Sequence, residues 1–194
     1  VCSSDLGVAV DSSGNVYVGD FGNNKIRKIT PVGEVTTFAG SGTAGSADGM
    51  GTAASFSTPT SIAVDSSDNV YVGNAGSFKI RKITPAGLVT TLAGSGSSGV
   101  ADGTGTAASF GSLGGIAVDG SGSVYVGDIG SNQIRKITPA GVVTTLAGAG
   151  GAGAANGMGT VASFKSPRGV AVDSSGNVYL ADSGNYLIRK ISQP

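Results

Sequence analysis

The chain has 194 residues, of which 39% are hydrophobic, and its twelve basic and twelve acidic side chains give a net charge of zero. This balance argues against nucleic-acid binding, because proteins that grip a phosphate backbone carry a strong positive field. Histidine does not occur and Cys2 is the single cysteine, so a zinc site, a Ser-His-Asp triad and an internal disulfide are all excluded. No apolar run is long enough for a membrane-spanning helix. We expect no cofactor, no nucleic acid and no membrane span.

The first six residues, 1–6, do not fit the pattern that follows them. In the repeat register they lie opposite 163–168, where the sequence reads Ser-Phe-Lys-Ser-Pro-Arg. The string Val-Cys-Ser-Ser-Asp-Leu also resembles read-through of a sequencing adapter. We therefore expect a non-native leader at 1–6 and one repeat array at 7–194.

From residue 7 onward the sequence repeats every 54 residues. The string Ala-Val-Asp ends at Asp11, Asp65, Asp119 and Asp173. The string Ile-Arg-Lys-Ile begins at Ile26, Ile80, Ile134 and Ile188. A fixed period of this size indicates stacked supersecondary units, each of which buries its apolar faces against its neighbours.

Each unit divides into four short strands joined by tight turns. In the second unit the strands are predicted at 61–65, 70–73, 79–84 and 89–93. Apolar side chains at successive positions, as in Val-Tyr-Val, indicate a sheet that is covered on both faces. Small four-stranded sheets of this kind in tandem are typical of a β-propeller. We predict an all-β fold with the Val-Ala-Val strands innermost, the Val-Thr-Thr strands outermost, and four blades at about 7–40, 61–94, 115–148 and 169–192.

Connections of about 20 residues join the blades, at 41–60, 95–114 and 149–168. Each contains Asp/Asn-Gly-x-Gly-Thr-x-Ala-Ser-Phe. The aromatic rings in these connections are predicted to pin them to the blades (Phe56, Phe110, Phe164). The acidic or amide residues are predicted to hold their own turns (Asp48, Asp102, Asn156). The threonines are predicted to cap one helical turn (Thr52, Thr106, Thr160).

The fourth unit stops at Ile191-Ser192-Gln193-Pro194 and contains no Val-Thr-Thr strand. We therefore predict an incomplete last blade and an open arc. The outward faces of the first and fourth blades would expose apolar side chains, which favours self-association.

Residues 7–26 closely resemble the NHL repeat, through Gly-Val-Ala-Val-Asp, Gly-Asn-Val-Tyr-Val-Gly-Asp and Gly-Asn-Asn-Lys-Ile. Residues 169–188 resemble it equally, and the middle units depart from it at Asp68 and Asn74. The resemblance implies an arc of a six-bladed ring. The long Gly-rich insertions resemble the bacterial multi-repeat subtype, which implies a large secreted or cell-surface protein.

Two recurring motifs have plain structural interpretations. Gly-x-Gly-x-x-Gly at 40–45, 94–99 and 148–153 is not followed by the amphipathic helix that a dinucleotide site requires. The aspartates that end the Ala-Val-Asp strings, here called the Asp11 set, offer one strong ligand per turn. This favours bonding to backbone amides over calcium binding.

Ten of the twelve basic residues lie in the third strand of each unit. Because acidic residues recur in the same blades, these basic residues are interpreted as structural or solvated. Acidic or amide residues end the second strands, where they would rim the central opening. They are the preferred place for ligand contacts: Asp20, Asn74, Asp128 and Asp182.

Near-identical units argue against catalysis, because an active site needs different residues converging from different blades. The sequence therefore favours a non-catalytic scaffold that binds a protein or glycan ligand within a larger secreted or surface bacterial protein. The alternative is a fragment of a propeller lyase or hydrolase whose active site lies in other blades. The full gene would discriminate between them, because a divergent blade with histidine or clustered acids would favour the enzyme.

Overall fold

The computed structural model describes residues 7–193, so the prediction of a leader at 1–6 lies outside the described residues. The described chain forms four antiparallel sheets that follow one another in sequence order. Its helices are single 3-10 turns, and none of them is long and apolar enough to cross a membrane. The predicted all-β propeller fold is confirmed.

The first blade consists of β1 (Val8–Val10), β2 (Val16–Asp20), β3 (Lys25–Ile29) and β4 (Val35–Ala39). The second comprises β6 (Pro59–Val64), β7 (Val70–Asn74), β8 (Lys79–Ile83) and β9 (Leu88–Ala93), with β5 (Gly49–Met50) added before it. The third comprises β11 (Leu113–Val118), β12 (Val124–Asp128), β13 (Gln133–Ile137) and β14 (Val142–Ala147), with β10 (Gly103–Thr104) added before it. The fourth blade has three strands, β15 (Pro167–Val172), β16 (Val178–Asp182) and β17 (Leu187–Ile191).

Strand order within each blade follows the chain, with the Val-Ala-Val strand at one edge. The Thr-Pro-x-Gly turns between the third and fourth strands explain the tight reversals. Gly33, Gly87 and Gly141 have φ angles of 86°, 89° and 80°, a left-handed conformation that glycine adopts without steric cost. The Val-Ala-Val strands form the predicted inner edge, but the Val-Thr-Thr strand is outermost only in the first blade, because β5 and β10 pair outside β9 and β14.

Two features of the connections differ from the sequence prediction. The two-residue strands β5 and β10 pair with β9 and β14, so the second and third sheets have five strands each. The connections also form 3-10 turns at Gly51–Ala53, Gly105–Ala107 and Gly159–Val161. The predicted threonine caps are wrong, because these threonines lie inside the turns and no side chain caps them.

The hydrophobic core lies between the blades. Between the second and third blades, Tyr71 and Ile80 pack in one cluster with Ile116 and Val124, and the connection inserts Phe110 among them. Equivalent clusters lie between the first and second blades and between the third and fourth. Each inner blade is therefore apolar on both faces, as its sequence indicates.

The outward faces of the end blades are exposed. Val8 is 56% exposed, whereas Ile116, which takes its place in the third blade, is 7% exposed. Ile188 is 76% exposed, whereas the equivalent Ile134 is fully buried. The first and fourth blades therefore do not cover each other, and the described arc is open, as predicted.

Candidate functional site

The residues that end the second strands differ in how far they reach solvent. The side chains of Asn74, Asp128 and Asp182 are completely buried. The Asp20 side chain in the first blade is 25% exposed. Of the four residues predicted to contact a ligand, only Asp20 is accessible in the described arc.

The buried members bind the connection that enters their own blade. Asp128 accepts hydrogen bonds from the backbone amides of Gly111 and Ser112, both at 3.0 Å. Asp182 accepts one from the amide of Lys165 at 2.7 Å, and Asn74 accepts one from the amide of Ser57 at 2.6 Å. These side chains bind within their own blade and its connection, so the structure does not bring the four residues together into one site.

In the second and third blades, a buried arginine forms a polar cluster with the acid of the connection, and in the third blade also with the residue that ends the second strand. The Arg135 side chain is fully buried, and its Nη2 lies 2.6 Å from Asp102 Oδ1 in the connection before the blade. The same guanidinium donates to the carbonyls of Ser109 at 3.1 Å and Ala101 at 3.0 Å, and to Asp128 at 3.4 Å. Arg81 repeats this arrangement with Asp48, Ser55 and Ala47. Burial lowers the pKa of the Arg81 guanidinium, and the charge of Asp48 opposes that shift.

Each buried or half-buried arginine also lies over an aromatic ring of the connection. The guanidinium carbons of Arg81, Arg135 and Arg189 lie 5.3, 5.5 and 5.2 Å from the ring centres of the aromatic residues at equivalent positions (Phe56, Phe110, Phe164). These are cation–π distances. The prediction that these rings pin the connections is confirmed, and the arginine is the group that they pin against.

The prediction that the connection acids hold their own turns is wrong. Asp48 binds Arg81 at 2.7 Å and accepts bonds from the amide and hydroxyl of Thr91, at 3.2 and 3.0 Å. Asp102 binds Arg135 and Thr145 in the same way. The constant separation of 33 residues between each connection acid and its arginine was the available signal. The sequence alone offers no partner for the arginines, because residues 33 apart in a repeat need not meet.

The first blade is the exception to this arrangement. Arg27 is 33% exposed, and the described residues give it a 3.8 Å approach to Asp20 and a 2.7 Å hydrogen bond to Thr37. No described connection covers this arginine. Among the described residues, Asp20 and Arg27 therefore form a partly exposed pair.

The aspartates that follow the first strands organise the hairpin turns. Asp65 accepts hydrogen bonds from the amides of Ser67 and Asn69, both at 2.9 Å, and from the Tyr71 hydroxyl at 3.0 Å. Burial alone would raise the pKa of the Asp65 carboxyl, but these bonds outweigh burial and hold its pKa below the usual value. Burial also raises the pKa of the Tyr17 hydroxyl to about 12, with the charge of Asp11 adding to the shift. The predicted backbone bonding by the Asp11 set is confirmed.

Among residues 7–193 no three acidic or cysteine side chains are grouped so that they could share a metal ion. One lysine of each third strand lies over the ring of a second-strand tyrosine, as with Lys82 Nζ at 5.6 Å from the Tyr71 ring centre. The recurring charged residues therefore find partners within the repeats.

Residues 6–29 and 164–191 match the family model of the NHL repeat. These segments contain the inner strands of the first and fourth blades, and the second and third blades reproduce the same sheet order and polar cluster. The first and fourth blades are NHL repeats, which confirms the resemblance of these two segments.

The proteins that this chain resembles are longer than the chain itself. It is 37% identical over 79 residues to Protein SUPPRESSOR OF QUENCHING 1, chloroplastic, from Arabidopsis thaliana, a match that covers 40% of this chain and 8% of that protein. It superposes on an auxiliary nutrient binding protein from Bacteroides thetaiotaomicron with a TM-score of 0.77 and 20% identity, covering 95% of this chain and 46% of that one. It therefore spans about half the length of that solved structure.

A propeller enzyme shares the same fold. The virginiamycin B lyase from Staphylococcus aureus superposes on the NHL chain with a TM-score of 0.59 and 15% identity, covering 100% of this chain and 57% of the lyase. At these identities the structural likeness shows the fold alone. Binding proteins and enzymes both occur among proteins with this fold, so the fold does not supply the function.

Proposed function

We propose that this chain is a non-catalytic, ligand-binding segment of an NHL-repeat propeller within a larger secreted or cell-surface bacterial protein. The observation that carries the proposal is the internal use of the polar clusters. Arg135 donates to both Asp128 and Asp102, and these contacts fasten the connection to the third blade. The second and fourth blades repeat the pattern with small changes. Groups occupied in this way hold the scaffold together rather than act on a substrate.

The ligand site belongs at the end of the arc formed by the loops after the second strands. Asp20, at that end of the first blade, exposes a quarter of its side chain beside Arg27. An exposed carboxylate next to a guanidinium can both accept and donate hydrogen bonds, which suits sugar hydroxyls and polar protein surfaces. The ligand class is a glycan or a protein. The secreted or cell-surface setting rests on the resemblance of the Gly-rich insertions to the bacterial multi-repeat subtype.

The test of this proposal is a glycan array probed with the purified chain, followed by titration calorimetry on each positive sugar. Asp20→Asn is expected to weaken binding about tenfold, because it removes a charged acceptor from the contact. Glu34→Gln is the matched control. It removes the same charge from an exposed residue in the turn at the opposite end of the first blade, so it should leave the affinity unchanged. Binding that neither change alters would contradict the placement of the site.

The second candidate is a fragment of a lyase or hydrolase, supported by the fold shared with the virginiamycin B lyase. The same purified chain would be assayed for opening of cyclic esters and lactones by mass spectrometry. Turnover by the chain, lost in Asp20→Asn and kept in Glu34→Gln, would replace the scaffold proposal with this one. No turnover together with sugar binding would support the scaffold.

A further inference from the structure

The junctions between successive blades are not equivalent at the end where the second strands finish. In the first blade, Asn24 Oδ1 accepts a hydrogen bond at 3.0 Å from the backbone amide of Thr58, which lies in the connection before the second blade. Asn132 of the third blade accepts one from the amide of Ser166, in the connection before the fourth blade, also at 3.0 Å. Each of these asparagines therefore fastens its blade to the next one.

The junction between the second and third blades, here called the central junction, has a different residue at this position. It is Phe78, whose ring has no oxygen that could accept the bond. The amide of Ser112, which corresponds to the amides bound at the other junctions, instead donates at 3.0 Å to Asp128 of its own blade. Phe78 keeps the left-handed conformation of the asparagines, with a φ of 51°, although that conformation is costly for an aromatic residue.

The inner strands also meet differently at the central junction. At the first junction a Cβ atom on Gly7 would lie 2.5 Å from the amide nitrogen of Ile62, so the two strands are in close contact. At the third junction a Cβ atom on Gly115 would lie 2.8 Å from the carbonyl oxygen of Arg168. The second blade has Ser61 at the position of these glycines. Its side chain is buried, and its hydroxyl has no hydrogen-bond partner among the described residues, which weakens the packed arrangement.

The opposite end of the blades shows a third difference. The amide and hydroxyl of Ser12 donate to Asp68 at 3.1 and 3.2 Å, and these bonds join the first blade to the second. Gln193, which follows the last strand of the fourth blade, donates to the Tyr125 hydroxyl of the third blade at 3.3 Å. In the third blade Gly122 takes the place of Asp68, so this turn has no side chain with which to bind the second blade.

We propose that the central junction is a shear plane, along which the first two blades move as a unit relative to the last two. Apolar side chains fill this junction. Because apolar contacts are not directional, they persist while the packed surfaces slide by about 1–2 Å. Directional hydrogen bonds hold the other two junctions in one register.

Movement along the central junction changes the spacing between the turns that follow the second strands of the second and third blades. It therefore adjusts the width of a ligand that can span both blades. This inference rests on the interior of the array and does not depend on the ligand role proposed for Asp20.

The experiment measures distances between pairs of spin labels by pulsed electron paramagnetic resonance. The labels are attached at Val32→Cys, Ala86→Cys and Ala140→Cys, which are exposed positions in equivalent turns of the first three blades. Cys2→Ser removes the single cysteine of the chain, and singly labelled protein reports any contact between molecules. The pair at positions 86 and 140 spans the central junction, and the pair at 32 and 86 is the matched control across the first junction. We expect the distance distribution of the central pair to be wider by about 1–2 Å.

Exchanges of residues between the junctions test the cause of the movement. Phe78→Asn combined with Ser61→Gly gives the central junction the residues of the other two, so it should narrow the central distribution to the width of the control. Asn24→Phe removes the fastening of the first junction. It should broaden the control distribution by a similar amount and leave the central one unchanged.

Equal widths of the two distributions in the unexchanged protein would overturn the proposal. A central distribution that stays wide after Phe78→Asn and Ser61→Gly would also overturn it, because the missing contacts would then not be the cause of the movement. An unchanged control distribution in Asn24→Phe would contradict the fastening role of the asparagine on which the proposal depends.

Discussion

The guanidinium of Arg135 lies 2.6 Å from the carboxylate of Asp102, although Arg135 is on the third strand of its blade and Asp102 is in the connection before that blade. The pair fastens the connection across the blade, and Phe110 lies against the same guanidinium. Because this arrangement recurs in successive blades, it explains how connections of about 20 residues remain ordered although their regular structure consists of two-residue strands and single 3-10 turns.

Arg135→Ala is expected to lower the free energy of unfolding by about 3–5 kcal/mol, because it leaves the buried Asp128 carboxylate without its cation. The matched control is Arg27→Ala in the first blade. That arginine is 33% exposed and 3.8 Å from its acid, so its loss should cost about 1 kcal/mol or less. Urea unfolding of both variants measures the difference. Equal losses would show that the connection is not held through its arginine.

Tyr186→Asn is expected to stabilise the protein by about 1 kcal/mol. Tyr186 has a φ of 59°, a left-handed conformation that is costly for an aromatic residue and tolerated by asparagine. Its side chain is 96% exposed, so the exchange removes little packing. Asn24 and Asn132 already occupy the same position in other blades, with φ of 53° and 54°. An unchanged or lower urea midpoint would mean that the tyrosine ring makes a stabilising contact.

Stability should fall as the pH drops through the acid range. The pKa values of Asp11, Asp65, Asp119 and Asp173 are all held below the usual value in the fold. A depressed folded-state pKa contributes stability that is fully present above the unfolded value of about 3.9 and is lost as pH falls through the folded one. Urea midpoints at a series of pH values should therefore decline below about pH 4. In Asp119→Asn the decline should be shallower, and an identical slope would contradict the assignment.

The exposed end faces should make the purified chain associate as its concentration rises. Val10 on the first blade is 58% exposed and Ile188 on the fourth is 76% exposed. Ile188→Lys is expected to reduce the average mass measured by light scattering, because it places a charge on an apolar face. Val32→Lys is the control, since Val32 is 90% exposed in a turn and should not change the mass. A chain that stays monomeric at every concentration would contradict the predicted association.

Much of the fold could be predicted from local patterns, whereas the site could not. The Asp65 turn depends on residues within a few positions of each other, so its backbone bonding was readable from the sequence. The ligand role predicted for the residues that end the second strands rested on strand position alone. Position along a strand does not reveal burial, and the connections that bury Asn74, Asp128 and Asp182 pass over them only after folding. The ligand role of Asp20 therefore stays a prediction.

The sequence by itself determined the period, the order of the long strands and which faces of those strands are apolar. Those properties follow from repeated apolar patterns, because each blade must bury what its neighbour presents. Only the tertiary structure decided which polar groups meet. Asp102 and Arg135 are 33 residues apart, and their pairing depends on how the connection crosses the blade.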